Sequence, residues 1–440
     1  MNTHDAIIIG TGQAGPSLAA RFSKAGMKIA VIERKLFGGT CVNTGCTPTK
    51  TLVANAYAAH LARQFCNDLQ VDMKKLKARK DAVVARSGIE KWMNSLPNCE
   101  VFKGHARFTA PHTVAVDGKT LISEKIFLNV GGRARIPDIA GLDQIPYLTN
   151  TSILDLDFVP PHLIILGGSA VGLEFAQMFR RFGSEVTVIE AAGRLLPHGD
   201  EDVSAAVLDI LTKEGIQVVL NAHNIAVKSL GDALNVHNIT GSHLLVATGR
   251  VPNTDDLGLE KAGIATDAHG YIHVDEDCCT SARGVWALGD CNGRGGFTHT
   301  SYNDYEIVAA NLLEEGSRRI SDRIYCSAIY IDPPLARVGM SETEVRNSKR
   351  PALIGRREMS KVTRAVEKGE TLGFMKILVH AESHQILGAT ILGTGGDEAI
   401  HCILDTMYAG APYTVLQRAV HIHPTVSELI PTMLGELKPL

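Results

Sequence analysis

Short apolar runs, each followed by a glycine-rich turn and a helical pattern, occur near the start of the chain. The first run, residues 6–9, is followed by Gly10–Gly15 (GTGQAG) and by apolar positions at helical spacing over residues 18–22. A second apolar run, residues 29–32, ends at Glu33. Short apolar runs predict buried strands, and the pattern between them predicts a helix. The N-terminus is therefore expected to form a βαβ unit.

The same order of elements recurs 157 residues later. An apolar run at 163–166 precedes Gly167–Gly172 (GGSAVG), and a helical pattern and a further apolar run lead to Glu190, which follows the first glycine by 23 positions, as in the first copy. In dinucleotide-binding units the glycines permit a tight turn, close approach of the pyrophosphate and close helix–strand packing, while the acid binds ribose hydroxyls. Two such sites are predicted.

The two copies differ at the middle position of the glycine motif. Gly12 of the first copy corresponds to Ser169 in the second, which adds a Cβ where the pyrophosphate must come close. The second site is expected either to hold its ligand slightly farther away or to use the hydroxyl as a donor, which suits an exchangeable cofactor. The first copy keeps its glycines and is the better candidate for a permanently bound flavin.

Two cysteines, Cys41 and Cys46, lie five positions apart directly after the first unit. Regular helix would separate their Cα atoms by ~7.5 Å, beyond the ~4.4–6.8 Å that a disulfide tolerates, so a turn is expected at residues 43–45. Thr47 and Pro48 are expected as N-cap and first helical residue, which places Cys46 at a helix N-terminus that favours thiolate. The pair indicates a redox dithiol; a structural disulfide or two unrelated cysteines are the alternatives.

Length and composition limit the other possibilities. A chain of 440 residues predicts about two to four domains, and a net charge of -3 without a basic run gives no reason to expect nucleic acid or a membrane as partner. The sequence contains neither an apolar run near the ~20 residues of a membrane span nor a signal-peptide pattern, so a cytoplasmic location is expected. Five scattered cysteines are interpreted as small apolar residues: Cys66, Cys99, Cys291, Cys326 and Cys402.

A third candidate for a nucleotide contact is the segment 284–290 (GVWALGD), an apolar strand that ends in Gly-Asp. Asp290 can accept hydrogen bonds from sugar or ribityl hydroxyls, although it is equally a turn aspartate. The segment follows residues 247–253, which are expected to close the second unit and return the chain to the first.

With these motifs in place, the chain resembles the dithiol-containing flavoprotein disulfide reductases, which include glutathione reductase, dihydrolipoamide dehydrogenase and mercuric reductase. The resemblance spans nearly the whole chain and ends at His423–Glu428 (HPTVSE). It implies an FAD-dependent NAD(P)H oxidoreductase of the α/β class, with two Rossmann-like dinucleotide-binding domains and a C-terminal α+β dimerisation domain. It also implies a homodimer with shared active sites.

The resemblance assigns roles to the reactive side chains. Cys41 would be the outer thiol that attacks the substrate, and Cys46 the inner thiol that makes the charge-transfer contact with the flavin. Lys50 and Glu174 would form an ion pair near the reactive nitrogen of the flavin.

The family's acid–base element corresponds to His423 and Glu428. The glutamate would orient the imidazole, which would shuttle the proton of the leaving thiol in the other subunit's site. The residues expected to contact FAD are Gly10, Gly12, Gly15, Glu33, Gly39, Thr40, Ala106, Gly131, Asp290 and Thr298. Those expected to contact the nicotinamide cofactor are Gly167, Ser169, Gly172, Glu190 and Gly249. No metal-binding residue is expected.

The expected domains are discontinuous. Residues 1–148 and 266–322 are assigned to FAD binding, 149–265 to NAD(P) binding and 323–440 to the interface. Strand-like runs and an apolar helix in the last segment are also consistent with an ordinary α+β core.

The electron acceptor is expected to be a disulfide or a small thiol-reactive oxidant. Mercuric reductase is the nearest rival, but that family delivers metal through vicinal cysteines at the C-terminus, whereas this chain has no cysteine after Cys402. Cys278 and Cys279 are vicinal and are interpreted as a chance surface pair. Residues 48–53, 297–305 and 334–340 look like the bacterial branch of reactive-chlorine-response flavoproteins, which are credited with reducing hypothiocyanous acid or cupric ion.

Three further alternatives concern the donor and the type of protein. NADH is the expected donor because Glu190 would repel a 2′-phosphate; Arg194 could be recruited to that phosphate, which keeps NADPH possible. Mercuric or cupric ion reduction and dihydrolipoamide dehydrogenase activity are alternative functions. A scaffold that only binds nucleotides, with a static Cys41–Cys46 bridge, is the non-enzymatic hypothesis.

Overall fold

The computed structural model describes residues 2–66 and 68–440; Met1 and Asn67 lie outside the described residues. The N-terminal part contains strands β1 (Asn2–Thr3), β2 (Ala6–Ile9), β3 (Ile29–Glu33), β4 (Cys99–Lys103), β5 (Arg107–Ala110), β6 (Thr113–Val116), β7 (Lys119–Ile122), β8 (Ile126–Leu128) and β9 (Gly132–Ala134). Its helices are α1 (Ala14–Lys24), α2 (Gly39–Asn43), α3 (Cys46–Arg63), α4 (Met73–Ala85) and α5 (Ile89–Asn94).

The second part repeats the βαβ order. Its strands are β10 (His162–Leu166), β11 (Glu185–Ile189), β12 (Gln217–Val219), β13 (Val227–Leu230), β14 (Ala233–Val236), β15 (Ile239–Gly241), β16 (His243–Val246) and β17 (Arg250–Pro252), and its helices are α6 (Ala170–Phe182) and α7 (Glu201–Lys213). The chain continues through β18 (Val285–Ala287) and α8 (Thr298–Leu313).

The C-terminal part consists of β19 (Cys326–Ile329), β20 (Leu335–Gly339), α9 (Glu342–Ser348), β21 (Ala352–Glu358), α10 (Thr363–Lys368), β22 (Phe374–His380), β23 (Ile386–Leu392), α11 (Gly396–Tyr408), α12 (Thr414–Arg418), α13 (Leu429–Leu434) and β24 (Lys438–Pro439). Its six strands form one antiparallel sheet in the order β19-β20-β23-β22-β21-β24. Within the described residues, no helix is long and apolar enough to cross a membrane.

Two parallel sheets carry the nucleotide units. The first has the order β18-β8-β2-β3-β4 and the second β12-β11-β10-β16. Because β18 pairs with β8, the chain returns to the first sheet after completing the second, which is the return predicted for residues 247–253. The fold is thus of the predicted α/β class, with two Rossmann-like units and a C-terminal α+β domain. The exact domain boundaries stay predictions.

The central strands of the parallel sheets are buried on both faces. Every residue of β2 and β3 is buried, as are four of the five in β10, which is why these segments read as continuous apolar runs instead of alternating ones.

A buried lysine joins the second unit to the C-terminal sheet. Lys376, on β22, is 1% exposed, and its Nζ lies 3.0 Å from Asp200, 2.8 Å from Asp202 and 3.1 Å from Glu342. Such an ammonium is tolerated in the interior because opposite charges surround it. These three carboxylates also have metal-ligand spacing, but the ammonium already occupies the position between them.

Two interpretations of the cysteines are wrong. Cys278 is fully buried in the core beside Phe127 and Leu288 and is not part of a surface pair; burial raises the pKa of its thiol. Cys66 is exposed and does not act as a core residue. Cys291 is fully buried, as expected for a small apolar side chain.

Candidate active site

Both glycine motifs form tight turns at the carboxyl ends of parallel strands. Gly10 has a φ of +101° and Gly167 a φ of +111°, and a Cβ at either would lie 2.3 or 2.4 Å from the backbone oxygen of Asn129 or Ala247, respectively. Only glycine fits such a conformation and approach. The first glycine of each motif is therefore required by the neighbouring strand of its own sheet.

The third glycine of each motif lies behind the turn and permits close packing of the helix. A Cβ at Gly15 would lie 2.3 Å from the oxygen of Gly10, and one at Gly172 would lie 2.0 Å from that of Gly167. The helix N-terminus consequently points at the space where a pyrophosphate would bind.

The two predicted acidic residues are held in the same way. Glu33 accepts hydrogen bonds from the backbone N–H of Thr11 at 2.9 Å and of Lys35 at 2.8 Å. Glu190 accepts from the backbone N–H of Gly168 at 2.6 Å and of Ala192 at 2.8 Å. Each carboxylate is thereby fixed at the end of its strand and faces the cleft with acceptor capacity remaining.

A single cleft of about 1270 Å³ runs between the two units. Most of the predicted site residues line it: Gly10, Gly12, Glu33, Gly39, Thr40, Cys41, Cys46, Lys50, Ala106, Gly131, Gly167, Ser169, Glu174, Glu190, Gly249, Asp290 and Thr298. A Cβ at Gly39, where φ is +61°, would lie 2.9 Å from Cα of Gly12. The glycines thus leave a cradle that side chains would fill, and the residues present fit FAD in the first unit and a nicotinamide dinucleotide in the second.

Asp290 lies in the wall of this cleft. Burial raises the pKa of its carboxyl, and the guanidinium of Arg250, 3.5 Å away, acts in the opposite direction. Arg250 also donates to the backbone oxygen of Gly132 at 2.6 Å. Asp290 is therefore a fixed acceptor at the position predicted for ribityl hydroxyls.

The cysteines lie on two consecutive helices. Cys41 belongs to the short α2, the chain turns at Thr44 and Gly45, and Cys46 is the first residue of α3. The prediction of Thr47 as N-cap is wrong: Gly45 is the N-cap, and Cys46 itself lies in the first turn. The predicted turn and the predicted place of Cys46 at a helix N-terminus agree with this geometry.

The two thiols differ strongly in acidity. The pKa of Cys46 is lowered to about 6, first by the hydrogen bond from the Cys41 thiol and then by the hydroxyl of Thr298 and the charge of Lys50, against the opposing effect of burial. The pKa of Cys41 is raised, because its proton is held by Cys46 and because the thiol is partly buried. At neutral pH the reduced pair therefore carries one thiolate, on Cys46, and one thiol, on Cys41.

Thr298 contributes to that thiolate site as well as to the cleft wall. Its Oγ1 lies 3.2 Å from Sγ of Cys46, and it is the first residue of the 16-residue helix α8. Two helix N-termini, those of α3 and α8, thus converge on one sulfur.

Lys50 and Glu174 form an ion pair across the boundary between the two units. Their Nζ and Oε2 atoms lie 2.6 Å apart, and the side chain of Glu174 is buried. The ring of Tyr330 lies 4.7 Å from Lys50 Nζ, and its backbone N–H donates to Glu174 at 2.8 Å. A buried carboxylate requires such partners, so the pair is fixed beside the dithiol.

His423 and Glu428 lie apart from this cleft. The imidazole Nδ1 is 2.9 Å from the carboxylate of Glu428, and the histidine side chain is 70% exposed. Val420 and Ile422 beside it are almost fully exposed. An exposed, oriented imidazole flanked by exposed apolar residues is typical of a surface that another subunit covers.

Sequence reasoning missed Asn129 and Tyr330. Asn129 follows β8 at the carboxyl edge of the first sheet and contacts the glycine turn. No sequence signal marked Asn129, because the corresponding residue of the second unit is an alanine, Ala247, and does not follow it at the 157-residue offset of the repeat. Tyr330 carried no signal either, since its contacts join three separate parts of the chain.

Comparison with known proteins gives two family matches. The profile of the pyridine nucleotide-disulphide oxidoreductases matches residues 4–304, and that of their dimerisation domain matches residues 325–434.

Individual proteins give similar results. The chain is 37% identical to the Escherichia coli K12 protein described as "Probable pyridine nucleotide-disulfide oxidoreductase RclA", over 100% of both chains. It is 32% identical to a dihydrolipoyl dehydrogenase of Thermus scotoductus, covering 97% of this chain and 96% of that protein. The solved Cu(II) complex of the HOCl-induced flavoprotein disulfide reductase RclA from Escherichia coli superposes with a TM-score of 0.93 at 36% identity, over 100% of both chains.

Proposed function

The chain belongs to the pyridine nucleotide-disulphide oxidoreductase family, and from this premise we propose that Cys41 and Cys46 form its catalytic dithiol and that a disulfide or a small thiol-reactive oxidant is its substrate. As a member it is an FAD-dependent enzyme that oxidises NAD(P)H. Bound FAD supplies the two-electron carrier between the nicotinamide and the dithiol. The predicted resemblance to the reactive-chlorine-response branch is confirmed.

The main support for this catalytic dithiol is the difference in pKa between the two thiols. A pKa of about 6 keeps Cys46 ionised at neutral pH, and its contact with Thr298, another residue of the cleft wall, supports a role for this thiolate beside the cofactor. Cys41 retains the proton. We assign Cys46 as the inner thiolate and Cys41 as the outer thiol that meets the substrate.

The residues can carry out a balanced exchange. A base takes the proton of Cys41, whose sulfur attacks one sulfur of a disulfide, so that a bond to Cys41 forms, the substrate bond breaks and the first thiol leaves with that proton. The Cys46 thiolate then attacks the sulfur of Cys41, so that the Cys41–Cys46 disulfide forms and the second substrate sulfur leaves as a thiolate, which takes a proton from water. Two electrons have passed to the substrate, and bound FAD would supply the carrier by which NAD(P)H reduces the Cys41–Cys46 disulfide again.

We assign the proton transfer to His423, oriented by Glu428, in the partner's active site. Because the imidazole is exposed and outside the cleft of its own chain, it is free to act across an interface. The dimerisation-domain match supports a homodimer.

We also propose the FAD-binding, NAD(P)-binding and interface boundaries given above, and a cytoplasmic location, where NADH is available and the seven cysteines outside the catalytic pair can remain free thiols.

Cupric ion reduction is the second candidate, because the similar solved structure is a Cu(II) complex. Two thiols at the end of a cleft are suitable ligands for copper, particularly in its reduced state.

A panel of oxidants tested with NADH distinguishes these functions. We expect NADH-dependent turnover of a low-molecular-weight disulfide or of hypothiocyanous acid, lost in Cys41→Ser. Turnover of Cu(II) alone would favour the second candidate. Purified protein without bound flavin would contradict both.

A further inference from the structure

The first nucleotide unit contains a buried side chain that links two of its cofactor-facing turns. Asn129 is 6% exposed. Its Oδ1 accepts from the backbone N–H of Gly15 at 3.1 Å, and its Nδ2 donates to the backbone oxygen of Leu288 at 3.0 Å. Leu288 directly precedes Gly289 and Asp290. One carboxamide therefore connects the glycine turn to the aspartate turn.

Sheet order explains why this link is possible. Asn129 follows β8, which lies between β2 and β18. The glycine turn follows β2, and Leu288 follows β18, so three adjacent strands end at the same edge of the parallel sheet. An asparagine at the middle strand can reach both neighbours, because its side chain combines an acceptor and a donor.

The link extends to the helix that touches the dithiol. Asn129 Nδ2 lies 3.4 Å from Oγ of Ser301, which is one turn after Thr298 on α8. Residues three apart share a face of a helix. The N-terminus of α8 is thus held against the first sheet at the end where Thr298 meets Cys46.

The second unit provides an internal comparison. Ala247 occupies the same place there. Its backbone N–H donates to the oxygen of Leu166 at 2.8 Å, just as the N–H of Asn129 donates to the oxygen of Ile9 at 2.8 Å. Its backbone oxygen leaves no room for a Cβ at Gly167, just as the oxygen of Asn129 leaves none at Gly10. However, Ala247 follows the edge strand β16. Alanine has no group that could form a link, and among the described residues β16 has no further strand on its outer side, where it meets only a single bridge at Leu148.

We infer that Asn129 is the positioning residue that makes the first unit retain its dinucleotide, by fixing the glycine turn and the Asp290 turn relative to one another. This inference rests on the proposed assignment of FAD to the first unit. When the glycine turn and the Asp290 turn are joined, the ligand can leave only if both turns open together. The second unit lacks this link and suits a cofactor that must exchange at each turnover.

The test measures release of FAD from the holoenzyme. Wild type and Asn129→Ala are diluted, and the recovery of free-flavin fluorescence is followed; we expect release to become about tenfold faster or more, as for the loss of two buried hydrogen bonds. With FAD added in excess, the KM for NADH should stay within about twofold, because the second unit is unchanged. Asn235→Ala, in a hairpin of the second unit, is the matched control and should release FAD at the wild-type rate.

Three results would overturn the inference. The first is a rate of FAD release from Asn129→Ala within twofold of the wild-type rate. The second is a rise in the KM for NADH that accompanies faster FAD release and so indicates a general loosening of the fold. The third is FAD release from the Asn235→Ala control that is as fast as from Asn129→Ala. If Asn129→Ala does not fold, Asn129→Ser fits the same space without spanning both turns and should show the same acceleration. Wild-type protein that carries no FAD would instead contradict the proposed function.

Discussion

The hydroxyl of Thr298 lies 3.2 Å from the sulfur of Cys46, although the two residues are 252 positions apart. Thr298 was expected only as an FAD contact. In the structure it also belongs to the environment that ionises the inner thiol, together with the Cys41 thiol and Lys50. The acidity of Cys46 is therefore a property of the tertiary structure as well as of its place at a helix N-terminus.

Replacing Thr298 by valine should raise the pKa of Cys46. Because a hydrogen bond to a charged group is lost, we expect the pKa to move from about 6 to about 7. A thiol is ionised above its pKa, so the thiolate–flavin absorbance band of the reduced enzyme, which disappears as the pH falls, should disappear at a higher pH in the variant. Thr298→Ser keeps the hydroxyl and should titrate like wild type; identical curves for wild type and Thr298→Val would contradict the assignment.

The two cysteines should give different spectra when each is replaced by serine. Cys41→Ser should abolish disulfide reduction. It should leave the thiolate–flavin band visible without reductant at a pH above the pKa of Cys46, and that pKa should be higher than in wild type, since the largest cause of its lowering is the Cys41 thiol. Cys46→Ser should lack the band. Reversed spectra would show that the inner and outer roles have been exchanged.

NADH should be preferred over NADPH. Glu190 is fixed by two backbone N–H groups at the end of β11 and would repel a 2′-phosphate. Arg194, the residue that could bind that phosphate, is engaged by the backbone oxygens of Pro197 and Gly199 and by Glu201. We expect kcat/KM to be higher with NADH than with NADPH. The Glu190→Gln substitution should lower the ratio of the two kcat/KM values by about tenfold. A higher wild-type kcat/KM with NADPH would refute the preference.

Subunit exchange should test the shared active site. Inactive Cys41→Ser and inactive His423→Ala homodimers, mixed in equal amounts, should form about half mixed dimers, each with one site that carries both native groups. Activity should recover to about a quarter of wild type. Absence of recovery, with exchange confirmed by mass, would mean that His423 serves its own subunit or has no role in turnover.

The sequence by itself determined the two nucleotide units, because their central strands are buried on both faces and the first glycine of each motif occupies a backbone position that no other residue fits. Both constraints act on neighbouring residues, so they are visible in the sequence as a repeated pattern of apolar runs and glycines. It likewise placed a turn between Cys41 and Cys46, since the spacing excluded regular helix. It missed the helix start by two residues, because Thr47 is a better N-cap by propensity than Gly45, and the packing of α2 against α3 overrode that preference.

Only the tertiary structure decided which distant groups meet. The ion pair of Lys50 with Glu174 and its contact with Tyr330 join segments that lie far apart in the chain. Cys278 is buried because Phe127, from a distant strand, packs in the same core cluster, and no sequence pattern predicts that contact. Asn129 shows the physical reason most clearly. An asparagine after an apolar strand is unremarkable in sequence, and it becomes a link only because the return of β18 to the first sheet places a second strand end within reach of its carboxamide.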